Sequence, residues 1–109
     1  MIYKIDAKKL QFEFIQELKN DRTVAPMIED NKTAGYKIRI IQRGEHLFYQ
    51  QGDRAFICDI QIRDNILFTD SIKKRDDGTT ITDEEKAIIF ERIESYFKNY
   101  QKIDIRLYP

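Results

Sequence analysis

The stretch from Arg54 to Arg63 reads RAFICDIQIR and decides the fold, because apolar and polar side chains alternate along it. The apolar side chains fall at every second position: Phe56, Cys58, Ile60 and Ile62. The polar side chains fall largely between them: Asp59, Gln61 and Arg63. Successive side chains of a β-strand point to opposite faces, so this period predicts a strand with one face on a core.

Neighbouring segments carry related patterns. Residues 36–40 alternate in the same way, and residues 46–50 and 66–69 are rich in aromatic and β-branched side chains, which favour strands. The connections between these segments are short, and two of them contain Gly44 and Gly52. Short connections make successive strands antiparallel neighbours, so the pattern predicts an antiparallel sheet.

After Gly78 the period changes to three or four residues, which is typical of an amphipathic helix. The apolar stripe consists of Ile89, Ile93, Phe97 and Tyr100, with Phe90 and Tyr96 beside it. Thr82 and Glu85 have the spacing of a capping box, in which each side chain satisfies a backbone N–H of the other residue. We predict a long helix over about residues 82–99 and a short final strand over residues 103–107.

The amino-terminal third is ambiguous. Residues 9–14 alternate like a strand, whereas Ala7, Leu10, Phe14 and Leu18 fit one face of a helix. Asp6 is a suitable N-cap, so a helix over residues 7–19 is favoured, with an irregular connection over residues 21–35. We therefore expect one α+β domain over residues 1–109: an antiparallel sheet of about five or six strands, an amino-terminal helix, and a long carboxy-terminal helix packed on one sheet face.

Charge and composition limit the classes of function. The 109 residues include 19 basic and 19 acidic side chains, so the formal net charge is zero. Nucleic acids and anionic membranes attract a clustered excess of Lys and Arg, so neither is expected as a partner. The lone Cys58 can form no intramolecular disulfide, and the first residues lack the apolar run of a secretory signal. Both features predict a cytoplasmic protein.

Catalytic and metal-binding motifs find little support. A nucleophilic dyad would have to use Cys58 and His46, but the strand phase places Cys58 on the apolar face, where a thiol is inert. Structural zinc needs about four Cys or His ligands, and Asp76-Asp77-Gly78 lacks the alternating Asp or Asn spacing of a calcium loop. No glycine-rich phosphate loop is found. We predict no catalytic residue, no metal and no cofactor.

Protein binding requires no motif, and aromatic, Arg and charged side chains usually anchor and orient such contacts. Lys73-Lys74-Arg75 is the densest basic run, and Asp76-Asp77 follows at once and offsets its field, which favours a solvated charged turn over a nucleic-acid site. The candidate partner-binding residues are Lys73, Lys74, Arg75, Asp76, Asp77, Tyr49 and Arg63. Phe48 and Tyr108 are further aromatic candidates; the alternative is a second small core beneath the amino-terminal helix.

From Gly52 onward the chain carries a Gly-Asp-Arg turn, a strand, the segment DSIKKRDDG at residues 70–78, and the capped helix opening ITDEEK at residues 81–86. This order of segments, over residues 52–99, resembles that of small bacterial immunity-type proteins of polymorphic toxin systems. Arg75 stands where a Trp is expected. The resemblance implies a cytoplasmic protein that neutralises a cognate toxin by binding it, with no shared catalytic residues.

The leading hypothesis is therefore a non-enzymatic, immunity-like protein that occludes a toxin domain with the loop at residues 73–78 or the hairpins around residues 43–54. The alternative is a small enzyme or ligand-binding domain with a polar pocket between helix and sheet. Such a pocket would be lined by several of Asp59, His46, Asp64 and Tyr49, and Asp70 is a further carboxylate that could converge there. A homodimer through an exposed strand edge is compatible with either function.

Overall fold

The computed structural model describes residues 7–21, 28–30 and 33–109. Within these ranges the chain forms two α-helices, α1 (Ala7–Asn20) and α2 (Asp83–Tyr96), and one six-stranded sheet. The strands are β1 (Ile28–Asp30), β2 (Thr33–Ile41), β3 (His46–Gln51), β4 (Arg54–Gln61), β5 (Ile66–Phe68) and β6 (Arg106–Tyr108). The α+β prediction is confirmed, and the favoured helix at residues 7–19 is present as α1. Neither helix in the described ranges has the length and apolar character needed to cross a bilayer.

The strands lie side by side in sequence order. Neighbours are antiparallel from β1 to β5, as the short connections predict. The β5–β6 pair is parallel, so the expectation of a wholly antiparallel sheet is wrong at this edge. The physical reason is the connection: α2 returns the chain across the sheet, so β6 enters from the same end as β5, whereas a hairpin would reverse it.

The two sheet faces carry two separate cores, as the alternation of β3 shows. Leu47 packs in the larger core, which α2 covers with Ile89 and Ile93, and Phe97, the first residue after α2, packs there too. Its neighbour Phe48 points to the other face and packs against Ile15 of α1. The smaller core beneath the amino-terminal helix is therefore present, and each helix covers one face of the sheet.

The carboxy-terminal helix begins where the sequence predicts. The Thr82 side chain accepts from the Glu85 amide, and the Glu85 carboxylate accepts from the Thr82 amide, which confirms the capping box. After α2 the chain continues in a π-helical turn, Phe97–Gln101, and Lys102 ends it with a φ of 59°. Because the Ile103 amide still donates to the Phe97 carbonyl, the final strand starts at Arg106, three residues later than predicted.

The prediction of an irregular connection over residues 21–35 is wrong in part. Ile28–Asp30 forms β1, and β2 already begins at Thr33. β1 pairs antiparallel with β2 at the sheet edge, with Ile28 opposite Tyr36. A strand of three residues shows no measurable period in the sequence, so its pairing partner defines it.

Candidate functional site

The loop at residues 73–78 is a tight turn that hydrogen bonds close across its base. The Ile81 amide donates to the Lys73 carbonyl over 2.9 Å, and the Arg75 amide donates to the Thr79 carbonyl over 3.0 Å. Gly78, with a φ of 85°, adopts the left-handed backbone conformation that the turn requires. These contacts give the charged loop a defined shape before any partner binds.

The Arg75 side chain turns inward to the start of α2. Its guanidinium donates to the Glu85 carboxylate, and 9% of the side chain is exposed. Hydrogen bonds from the Thr82 amide and then from Arg75 lower the pKa of Glu85 below its usual value. The ion pair therefore joins the loop to the capping box of α2.

The Asp76 side chain turns the opposite way, to α1. Burial alone would raise the pKa of its carboxyl, but hydrogen bonds from Lys19, from the Ala55 amide and from Gln16 lower it below its ordinary value. The three donor–acceptor distances are 2.5 Å to Lys19, 3.0 Å to the Ala55 amide and 3.0 Å to Gln16. The Asp76 amide also donates to the Ala55 carbonyl over 2.8 Å, which pins the loop to β4.

The remaining charged residues of the loop face solvent. Lys73, Lys74 and Asp77 are exposed. The Asp77 carboxylate accepts from the hydroxyl and amide of Thr79, and these bonds lower its pKa. Of the five predicted loop residues, three thus present charge outward, whereas Arg75 and Asp76 hold the loop in place.

Tyr49 and Arg63, the other predicted binding residues, lie away from the loop surface. Tyr49 is 2% exposed and stacks between the rings of Tyr36 and Phe56, so its side chain belongs to the core. Its hydroxyl accepts from Arg92 over 2.6 Å. Arg63 is exposed in the 3₁₀ turn Ile62–Asp64, which follows β4. The structure therefore does not bring these two residues together with the loop.

The two additional aromatic candidates, Phe48 and Tyr108, lie in different environments. Phe48 is buried beneath α1, whereas Tyr108 is exposed on β6 and meets the ring of Phe68 edge to face. Phe48 is thus a core residue, and Tyr108 remains available on the surface.

A groove of about 580 Å³ opens between α1 and the sheet and holds the chain's single histidine. His46 and Asp59 are opposite each other on β3 and β4, and Nε2 of His46 lies 3.3 Å from Oδ1 of Asp59. Leu10 and Phe14 of α1 line the apolar side of the groove. This pair is the part of the predicted polar pocket that the structure assembles; the other candidates, Tyr49, Asp64 and Asp70, do not line it.

The groove contains no assembled nucleophile in the described part of the chain. Cys58 faces the opposite core, and burial, followed by the charge of Asp59, raises the pKa of its thiol far above the usual range. Ser71 is near Asp59, but its hydroxyl donates to the Phe68 carbonyl and accepts from the Asp59 amide. Among residues 7–21, 28–30 and 33–109, Nδ1 of His46 has no hydrogen-bond partner. The arrangement can bind polar groups; it lacks the nucleophile–base bond of a hydrolase.

The described ranges also provide no set of metal ligands. Across the described ranges, no group of three His, Cys, Asp or Glu side chains is placed to hold a metal ion. Two of the carboxylates named in the sequence analysis have separate partners: Asp59 lies beside His46 and Asp64 beside Arg63.

Two arginines that the sequence reasoning passed over line a second, smaller recess beside α2. Arg92 is buried on the helix face shared with Ile89 and Ile93, and Arg54 is exposed at the start of β4. Arg92 lies three residues after Ile89 on the apolar stripe, and a charge at that spacing is the signal that could have found it. Arg54 gives no such signal.

Comparison of the chain with models of protein families, with curated proteins and with solved structures finds no match in any of the three.

Proposed function

We propose that the protein is a non-enzymatic binding module that neutralises a cognate toxin domain by occluding it, in the manner of immunity proteins. It acts in the cytoplasm, a proposal that the lone buried thiol supports. The binding surface is the loop at residues 73–78 together with the exposed part of α1 beside it.

The observation that carries this proposal is the internal fixation of the loop. Arg75 is bonded to α2 and Asp76 to α1 and β4, while Lys73 and Lys74 remain exposed. Ordering a flexible loop on binding costs affinity, so a loop already held in shape loses less conformational entropy. A fixed loop that presents cations outward is suited to a specific protein contact.

Phe12 of α1 extends this surface. It is exposed and lines, with Lys74 and Gly78, a groove of about 340 Å³ between the helix and the loop. Aromatic side chains are frequent anchors at protein interfaces, and adjacent charges orient the partner. An aromatic ring next to a cation gives the surface both elements.

The test is co-expression with the product of the neighbouring gene, scored by growth rescue and by recovery of a complex. Lys74→Glu should weaken binding by about tenfold, because the new carboxylate would repel the negatively charged group of the partner that Lys74 contacts. Lys98→Glu is the matched control, since Lys98 is exposed on the turn after α2 and carries the same charge change. Absence of both complex and rescue would overturn the proposal, as would equal effects of the two variants.

A ligand-binding function is the second candidate, and the groove beneath α1 favours it. His46 and Asp59 are paired there beside the apolar side chains of Leu10 and Phe14. A groove with an apolar wall and a few polar groups is typical of small-molecule sites. The test is NMR screening of small polar metabolites, read at the His46 ring and at the backbone amides of Ile57 and Asp59, which line the same groove. Saturable shifts of the ring in the wild type, with weaker binding by His46→Gln at the two amides, would support this function. The absence of saturable shifts in the wild type would exclude it.

A further inference from the structure

A small notch opens on the α2 side of the sheet, where the β3–β4 hairpin, the charged loop and α2 meet. Gln51 and Arg54 line it from the hairpin, Arg75 from the loop, and Glu85 and Arg92 from α2. The notch thus collects three guanidinium groups and one carboxylate from three separate segments of the chain. Sequence distance hides this arrangement, because the arginines are far apart in the chain.

The arginine side chains are fixed to different degrees. Arg92 donates to the Tyr49 hydroxyl and, over 2.9 Å, to Oε1 of the Gln51 side chain, and its guanidinium lies 4.8 Å from the centroid of the Tyr36 ring. Arg75 is held by Glu85. Donors held in this way need little reordering to meet an anion.

Arg54 is the exposed member of the set. Its positive charge is close enough to contribute to the lowered pKa of Asp77, although the hydrogen bonds from Thr79 contribute more. Because Arg54 is exposed and lines the notch, its side chain can turn toward an incoming anion at the mouth. Arg offers a planar fork of donors that matches a carboxylate in a bidentate contact.

The size of the notch restricts what can enter. Its volume is about 130 Å³, whereas sites for small molecules and cofactors usually measure about 300–1,000 Å³. A single side chain or a small anion fits that space. The occupant is therefore one charged group, which is either the side chain of a larger molecule or a small anion free in solution.

The wall of the notch discriminates between those two cases. Ile88 is 39% exposed at the rim and offers an apolar surface to the methylene groups of a side chain. Inorganic phosphate has no apolar atoms to pack on Ile88, so this rim favours a protein side chain over a free anion.

We propose that this notch receives an Asp or Glu side chain from an acidic segment of a protein partner, gripped by Arg54 at the mouth and by the fixed charges of Arg75 and Arg92. The inference rests on the proposed function, because the partner there is a protein. It adds the chemistry of that partner's contact surface: an acidic residue flanked by an apolar one that packs on Ile88.

The experiment is an NMR titration of the full chain, labelled with ¹⁵N, that follows the side-chain Nε–H signals of the arginines. The probe is a blocked peptide with the sequence Leu-Glu-Leu, and the control probe is Leu-Gln-Leu at the same ionic strength. We expect saturable shifts at Arg54, Arg75 and Arg92 with the Glu peptide alone. Arg54→Gln should weaken that binding by about tenfold, and Arg43→Gln, an exposed arginine before β3, by less than about twofold.

Three results would overturn the inference. They are the absence of saturable shifts with the Glu peptide, equal shifts with the Gln peptide, and inorganic phosphate binding to the same signals as tightly as the Glu peptide. A dispersed spectrum of Arg54→Gln verifies that this variant is folded. If the Glu peptide binds while co-expression yields neither complex nor rescue, the notch stands and the proposed function fails. If Arg54→Gln no longer binds the Glu peptide but still forms the complex and rescues growth, the proposed function stands and the notch inference fails.

Discussion

Replacing Asp76 should destabilise the whole chain, because this side chain joins the charged loop to both α1 and β4. Its carboxylate is 5% exposed and accepts from Lys19, Gln16 and the Ala55 amide. Hydrogen bonds to a charged group contribute about 1.5–3 kcal/mol each, but the losses are not additive. The donors left behind decide the net cost.

Those donors differ in how easily they recover a partner. Lys19 retains 16% exposure and can turn into water, so its loss is small. The Ala55 amide belongs to a fully buried residue, and a buried unsatisfied donor costs about 1–3 kcal/mol. We therefore expect Asp76→Ala to lower the free energy of unfolding by about 2–4 kcal/mol, and Asp76→Asn by about 1–2 kcal/mol, because Asn keeps an oxygen for the amide.

The pH dependence supplies an independent check. The pKa of Asp76 is lower in the folded chain than its ordinary value, so its stabilisation is complete above the unfolded pKa of about 3.9 and is lost as the pH falls through the folded pKa. The stability difference between wild type and Asp76→Asn should accordingly shrink below about pH 4.

Urea unfolding at several pH values measures both effects, with Asp104→Ala as the control because Asp104 is exposed. The control should stay within about 0.5 kcal/mol of wild type. The reasoning is refuted if Asp76→Ala also stays within that range, or if the wild-type advantage over Asp76→Asn is constant down to about pH 3.

Three further outcomes are expected. Gly44→Ala should lower the free energy of unfolding by about 2 kcal/mol or more, because the φ of Gly44 is 85° and an added Cβ would lie 2.6 Å from the Ile62 side chain. Gly52→Ala has open space around the added Cβ and should cost only about 1 kcal/mol in backbone strain. Equal urea midpoints for the two variants would contradict this difference. Cys58 should resist a thiol reagent in the native state and react on unfolding, and rapid native labelling would place it outside the core. Thr82→Ala should lower the free energy of unfolding by about 1 kcal/mol through loss of the cap, and an unchanged melting temperature would show that the cap contributes nothing.

The elements that the sequence predicts well are those whose signal is local. The alternation in β4 and the Thr82–Glu85 cap are complete within a few residues, so both are predicted and confirmed. The parallel entry of β6 depends on where α2 delivers the chain, and the strand at Ile28–Asp30 depends on its partner β2. Such features are tertiary, and a local pattern does not contain them.

The candidate site shows the same division at the level of single side chains. Lys73-Lys74-Arg75-Asp76-Asp77 can be found from composition, but which of these charges remain available depends on partners elsewhere in the chain. Arg75 meets Glu85, ten residues away, and Asp76 meets Gln16, 60 residues away. The first contact is within reach of a sequence argument because Glu85 already belongs to a recognised cap; the second is not.

Arg75 and Asp76 are neighbours of opposite charge in the tight turn, and their side chains leave it on opposite sides. At the edge of a sheet with one helix on each face, such a pair can bond to both helices at once, and here Arg75 reaches α2 while Asp76 reaches α1 and β4. A loop built this way has a structural task and a binding task carried by different residues. Asp76→Ala should lose stability, and its folded fraction should also bind the partner more weakly, because a loosened loop has to be ordered on binding. Lys74→Glu should lose affinity at unchanged stability, and a loss of stability in Lys74→Glu would contradict this separation.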